Sequence, residues 1–146
     1  MAKKIKKYIF ISVFFLVIAA IIMGYLLWNK PHRDVMDADA IRVSADSLYN
    51  IFTSDSLKAN QVYLNHVIEV NGTIASISLN TKKQYIVLLK TAAAGASVNC
   101  TMESDIKKYQ AGDPVQIKGI CSGYLAGDVD MQLPGDVFVT RCYVSK

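Results

Sequence analysis

The chain has 146 residues, is 52% hydrophobic, and carries 16 Lys and Arg against 12 Asp and Glu. That length holds one small domain. Lys3, Lys4, Lys6, Lys7, Lys30 and Arg33 flank an apolar segment, and setting these six aside leaves ten basic residues against all twelve acids. The basic balance therefore belongs to a membrane anchor and excludes a polycationic nucleic-acid footprint.

Residues 8–28 run from Tyr8 to Trp28 without a charge. At about 1.5 Å per residue they span roughly 30 Å, the thickness of a bilayer core. Thirteen of them are Leu, Ile, Phe or Val, each favouring insertion by about 0.3 to 0.6 kcal/mol. Tyr8 and Trp28 suit the two interfaces. The expected organisation is a cytoplasmic basic N-terminus (residues 1–7), a transmembrane helix (8–28), a linker (29–43) and a globular domain (44–146). A cleaved signal peptide fits less well, because the segment is long and its exit, Gly24-Tyr25-Leu26-Leu27-Trp28, lacks small-residue spacing. No cysteine follows closely, which argues against a lipoprotein anchor. Four lysines before the segment, against Lys30 and Arg33 after it, place the N-terminus in the cytoplasm. The expected location is the cell's inner membrane, crossed once as an uncleaved signal-anchor, with the domain extracytoplasmic and periplasmic.

Pro31 lies in the polar linker. Ser44 then predicts a helix cap, with Asp46 in the first turn and Leu48, Ile51 and Phe52 at helical spacing on one face. A second short helix is expected over residues 54–63, started by Thr53 or Ser54. From Val67 the period becomes two. Ile68, Val70 and Ile74 alternate with Glu69, Asn71 and Thr73, and Gly72 marks a bulge or sharp coil. Further strands are expected at residues 85–90, 98–102, 115–121 and 137–144. A short helix or turn is expected at 103–110 and a turn at 111–114. This mainly β pattern predicts a small five-stranded OB-fold barrel preceded by one or two short helices. A small β-sandwich is the alternative from pattern alone.

These residues resemble a known family. Ser44-Ala45 with Leu48-Tyr49 and Phe52, Ala59 with Tyr63, and Val67-Ile68 with Val70, Gly72 and Ile74 are similar to the opening of the tRNA-anticodon-like OB-fold family, tRNA_anti-like. So are Val98 with Cys100, the run Gly112-Asp113 through Val115, Ile117, Gly119 and Cys121 to Gly123-Tyr124, and the closing Asp136-Val137, Val139 and Cys142. The resemblance covers residues 44–144. It implies an OB-fold and carries no common activity. Residues 124–136 depart from it, with a longer Asp-Val-containing hairpin. In such a barrel Cys142 could reach either Cys121 or Cys100, and the Cys121–Cys142 disulfide is the preferred pairing. Closing that loop would stabilise by about 3 kcal/mol.

Signatures of catalysis are missing. His32 falls in the linker and His66 ahead of the first barrel strand. The Gly95 loop lacks the Lys and Ser/Thr of a phosphate-binding loop. Asp128, Asp130 and Asp136 do not match a calcium loop. No His follows His66 to hold haem in a C-terminal tail. No metal or cofactor is therefore expected. The expected function is a noncatalytic binding or accessory module of the cell envelope, taking a protein, peptide or glycan. Tyr63, Tyr124 and the 128–136 hairpin are its first candidates. The alternative is a single-stranded nucleic-acid-binding module using Tyr85, Phe138 and Tyr143 with Lys82, Lys83, Lys90, Lys107 and Lys108. Nucleic acid is disfavoured as a partner by the near-neutral domain.

Overall fold

The computed structural model describes residues 35–145 apart from Val129, Met131 and Gln132, together with Leu16, Ile18, Ile22 and Met23. The chain divides into two units, Met1–Arg33 and Asp34–Lys146. In the first, the four described residues are helical and exposed. The remainder of the expected 8–28 span lies outside the described residues. Among the described residues no helix is long and apolar enough to cross a membrane.

The second unit begins with a short strand, β1 (Ile41–Ser44), that passes directly into helix α1 (Ala45–Ser54). Ser44 makes the switch. Its backbone stays extended, and its Oγ accepts the Ser47 amide at 3.1 Å, satisfying a donor that the first helical turn leaves free. Ala45, Leu48, Tyr49 and Phe52 are buried, but Ile51 is not. The apolar stripe therefore lies one step away from the expected Leu48–Ile51–Phe52 face. Helix α2 (Ser56–Tyr63) is capped by Asp55, whose Oδ1 accepts the Lys58 amide at 3.1 Å. Thr53 does not start it. The Thr53 hydroxyl donates back to the carbonyls of Tyr49 and Asn50, both at 3.1 Å, which keeps it inside α1.

Five strands then close a barrel: β2 (Val67–Leu79), β3 (Tyr85–Lys90), β4 (Ser97–Met102), β5 (Pro114–Leu125) and β6 (Asp136–Val144). Around the ring the order is β2-β3-β4-β6-β5 and back to β2. Only β4 and β6 run parallel; the other neighbours in the ring are antiparallel. This is the OB-fold order. β2 is long because it serves two partners. Its first half pairs with β5, from Val67 to Thr73, and its second half with β3, from Ile74 to Leu79. The register of β2 shifts between Ile74 and Ser76, and at Gly72, near the end of the first half, an added Cβ would sit 3.2 Å from the Ala45 Cβ of α1 and 3.3 Å from the Leu89 Cβ. Closure removes the exposed edges that a small sheet would otherwise offer.

One expectation is corrected. The stretch read as linker contains β1, which pairs in parallel with Ile68 to Asn71 and occupies the edge of β2 that β3 does not reach. Four residues are too few to show a period, so pattern reading passes over it. Between β4 and β5 the chain takes the turn, of the two forms expected there. Residues 103–110 form turns, held where Asp105 Oδ1 accepts the Lys107 amide at 3.0 Å and Asp113 Oδ2 the Gln110 amide at 2.9 Å. These turns still bury Ile106. The core is one cluster that joins Leu48 and Phe52 of α1 to Ile68, Val70, Ile74, Leu89, Val98, Ile117 and Val139 of the barrel.

Candidate ligand-binding face

Successive residues of a strand point to opposite faces, so the core assigns an outer face by elimination. Val87 and Leu89 of β3 are fully buried, which sends Ile86 and Leu88 outward. Val98, Cys100 and Met102 of β4 are buried, which sends Asn99 and Thr101 outward. Val137 and Val139 of β6 are buried, which sends Phe138 outward. The register aligns these residues in a row around the barrel: Ser76 opposite Leu88, Leu88 opposite Asn99, Asn99 opposite Phe138, Phe138 opposite Gly123. A second row sets Ser78 opposite Ile86 and Ile86 opposite Thr101. Ile86, Leu88 and Phe138 are half-buried yet pack outside the core cluster. The result is a face on which Ile86 and Leu88 lie side by side on β3, Asn99 and Thr101 of β4 separate them from Phe138 of β6, and Ser76 and Ser78 flank them on β2.

The β2–β3 turn brings Lys82 and Lys83 to the border of this face. Asn80 shapes the turn, its Oδ1 accepting the amides of Lys82 and Gln84, both at 2.9 Å. Lys83 takes a left-handed φ of 61°. Both lysines are exposed. Beside them lies a shallow cavity of about 250 Å³ lined by Lys83, Tyr85, Met102, Ser104 and Asp105. The Ser104 Oγ is buried and has no hydrogen-bond partner among the described residues. On its rim Lys107 is paired with Asp105 at 3.0 Å, and that carboxylate holds the ammonium above its ordinary pKa.

The other candidates are dispersed. Tyr63 lies against Phe52, ring centroids 6.2 Å apart. Tyr124 stacks on Phe52 at 5.8 Å and meets Tyr49 edge-on at 6.1 Å. Tyr63 belongs to the packing under α1 and α2, whereas Tyr124 also lines an open cavity of about 500 Å³ with Tyr49, Gly127, Asp128 and Pro134, on a different part of the surface from the Phe138 row. Burial raises the Tyr124 phenol, and its neighbour Tyr49 adds to the effect. Tyr85 shares the inner phase of β3 with Val87 and packs against the core. Tyr143 faces outward opposite Lys118, in a different row from Phe138. His66 is exposed. Among the described residues no group of three metal-capable side chains comes together. The expected Cys121–Cys142 disulfide is not formed. All three cysteines are buried free thiols; a bulge at Arg141, between the pairs Cys100–Val139 and Met102–Cys142, returns Cys142 to the inner side, where its thiol donates to the Val139 carbonyl at 3.4 Å.

Of the residues named from sequence, Phe138, Lys82 and Lys83 belong to this face or its border. Ile86, Leu88, Asn99 and Thr101 were missed. One signal was available: residues 85–89 are apolar in both phases, whereas a barrel strand needs apolar residues in only one.

The tRNA_anti-like family profile matches residues 1–133. The chain belongs to the tRNA_anti-like family. No curated protein matches it. Among solved structures it is similar to a candidate nucleic acid-binding lipoprotein of Klebsiella pneumoniae, with 20% identity and a TM-score of 0.51 over 80% of this chain and all of that one. It also aligns with a candidate aspartyl-tRNA synthetase of Leishmania major, at 5% identity and TM-score 0.43 over 80% of this chain and 22% of that one. An aspartyl-tRNA synthetase of Entamoeba histolytica aligns at 10% identity and TM-score 0.38 over 62% of this chain and 20% of that one. Likeness at these identities speaks to the fold alone.

Proposed function

We propose that this family member is a noncatalytic binding module of the cell envelope, anchored by residues 8–28, that holds an extended segment of a protein, peptide or glycan on the outer face of β3, β4 and β6. The observation that carries this reading is the aligned outer row of Ile86, Leu88 and Phe138, with Asn99 and Thr101 between the two strands that carry them and Ser76 beside Leu88. Apolar area outside the core gives a ligand something to cover, and the flanking hydroxyls and amide supply direction. The near-balance of charge after Arg33 suits a ligand without a dense charge of its own. A Leu88→Ser, Phe138→Ser double variant is expected to unfold close to the wild-type midpoint and to fail in complementing a deletion strain; full complementation would remove the face from the function. The anchored, extracytoplasmic arrangement predicts that a C-terminal alkaline phosphatase fusion is active and that a C-terminal green fluorescent protein fusion is dark.

A second reading has its own support. Phe138 offers a stacking platform, Lys82 and Lys83 lie in the β2–β3 turn at the Ile86 end of the same face, and the similar Klebsiella pneumoniae structure is of a candidate nucleic acid-binding protein. Single-stranded nucleic acid binds OB barrels through this combination. Fluorescence anisotropy with a labelled single-stranded oligonucleotide separates the two readings. Binding that collapses between about 50 mM and 200 mM salt, and that Phe138→Ala weakens, would put nucleic acid first. Its absence at the lower salt leaves the protein, peptide or glycan reading.

A further inference from the structure

Residues 126–135 join β5 to β6 and take no part in the outer face of β3, β4 and β6. They fold back as a hairpin in which Asp128 and Leu133 exchange backbone hydrogen bonds at 2.8 and 2.9 Å. Two glycines let it close. A Cβ at Gly127 would collide with the Leu133 carbonyl oxygen, and one at Gly135 with the Tyr124 hydroxyl. The β3–β4 loop packs against the hairpin through Gly95, whose φ is 81° and where a Cβ would sit 3.1 Å from the Pro134 Cγ. Between hairpin, loop and α1 lies the open cavity of about 500 Å³, lined by Tyr49, Ala94, Tyr124, Asp128, Leu133 and Pro134 among others. Ala94, Leu133 and Pro134 are exposed and give it apolar surface beside the two phenol rings. Its charge has one sign. Asp128 lines it, with Oδ1 accepting the Asp130 amide at 2.9 Å, and Asp130 is exposed next to it. No Lys or Arg occurs in residues 119–140, in the loop 91–96 or in α1. Lys90, just before that loop, lines a separate cavity with Asp46 and Asn71.

We infer that this cavity is a second binding site, separate from the outer face, and that it takes an arginine side chain of a protein partner. Charge complementarity selects the occupant. All three walls lack a basic residue of their own, so the carboxylates of the hairpin give the cavity a negative field that draws a cation. An arginine matches both kinds of lining. Its aliphatic stem covers Leu133 and Pro134, and its planar guanidinium pairs with the Asp128 carboxylate beside the electron-rich rings of Tyr49 and Tyr124. A lysine ammonium is more strongly hydrated and gains less from the rings. An acidic group meets a like charge. A purely apolar side chain would cover Asp128 without pairing it, which costs more than the apolar contact returns. The inference holds whether or not the outer face binds, because the two surfaces share no residue.

Fluorine NMR tests this on the full-length protein in a neutral detergent, labelled with 3-fluorotyrosine. Tyr49→Phe and Tyr124→Phe assign the two signals of the cavity. The probe is Nα-acetyl-arginine methylamide, titrated into the millimolar range. The expected result is a saturable shift of the Tyr49 and Tyr124 signals that added salt weakens. Asp128→Asn keeps the oxygen that accepts the Asp130 amide and removes the charge; it is expected to weaken binding about two- to fivefold, as loss of an exposed ion pair does. Nα-acetyl-norleucine methylamide, which has an apolar chain and no charge, should bind more weakly, and Phe138→Ser should leave the arginine titration unchanged. No saturable shift at either tyrosine, equal binding of the norleucine probe, or an unchanged titration in Asp128→Asn would overturn the inference. Loss of the shifts in Phe138→Ser would place the probe on the outer face and overturn it as well.

Discussion

At the scale of single residues, Glu69 joins parts of the chain that are distant in sequence. Its side chain is 8% exposed. Oε1 accepts the Ser145 hydroxyl at 2.6 Å and Oε2 the Arg42 Nε at 2.9 Å, which binds β1 and the C-terminus to β2. The Ser145 hydroxyl contributes most to holding the carboxyl below its ordinary 4.5, with Arg42 and Lys118 assisting against desolvation. A depressed carboxylate binds protons less readily when folded than when unfolded, so its stabilisation is complete above that value and fades as pH falls through the folded pKa. Glu69→Gln is expected to lose about 1 to 2 kcal/mol at neutral pH, in the range of a charge-assisted hydrogen bond, with most of the loss from the Ser145 contact because Arg42 is largely exposed. Urea midpoints measured from pH 7 downward should show the wild-type advantage shrinking below about pH 4.5. A constant gap would contradict this. Gly119 is the second case. Its missing Cβ gives room to the Cys142 Sγ and to Val139 Cγ1, each 2.7 Å from the Cβ position. Gly119→Ala should cost about 1 to 3 kcal/mol by overpacking, read as a lower denaturation midpoint.

At the scale of elements, α1 packs onto the barrel core, and Phe52 is its largest fully buried side chain. Phe52→Ala removes the ring on which Tyr124 stacks and against which Tyr63 lies. A loss of about 3 to 5 kcal/mol is expected, large enough to unfold a marginal domain, and thermal unfolding followed by circular dichroism measures it. The elements also show what the sequence carries. β2, β4, β5 and β6 were readable because Ile68-Val70, Val98-Cys100, Val115-Ile117 and Val137-Val139 keep a strict period of two. α1 was readable from Ser44 and its apolar spacing, though the buried stripe includes Tyr49 and omits Ile51. β1 was not readable, because its partner Ile68–Asn71 is 27 residues away and a strand of four residues has too few repeats to register. The start of α2 was misread because Thr53 and Asp55 are both good caps and only the fold decides that Thr53 bonds backward.

At the scale of the whole molecule, family and ring order follow from the sequence, whereas the face does not. Tyr63, Tyr85 and Tyr124 looked like surface aromatics, yet they fill the core margin. Phe138 looked equivalent to them and is the one that strand phase turns outward. Deciding among them needs the register of β3, β4 and β6, which is a tertiary property set by ring closure and by the bulge at Arg141. The measurement that tests the face most directly is in-cell photo-crosslinking of the full-length protein. A photoreactive amino acid replaces Leu88 in one strain and Lys58, exposed on α2, in another. The account predicts a discrete adduct from position 88, sensitive to protease or glycosidase and resistant to nuclease, and none from position 58. No adduct from position 88, or the same adduct from both positions, would contradict it.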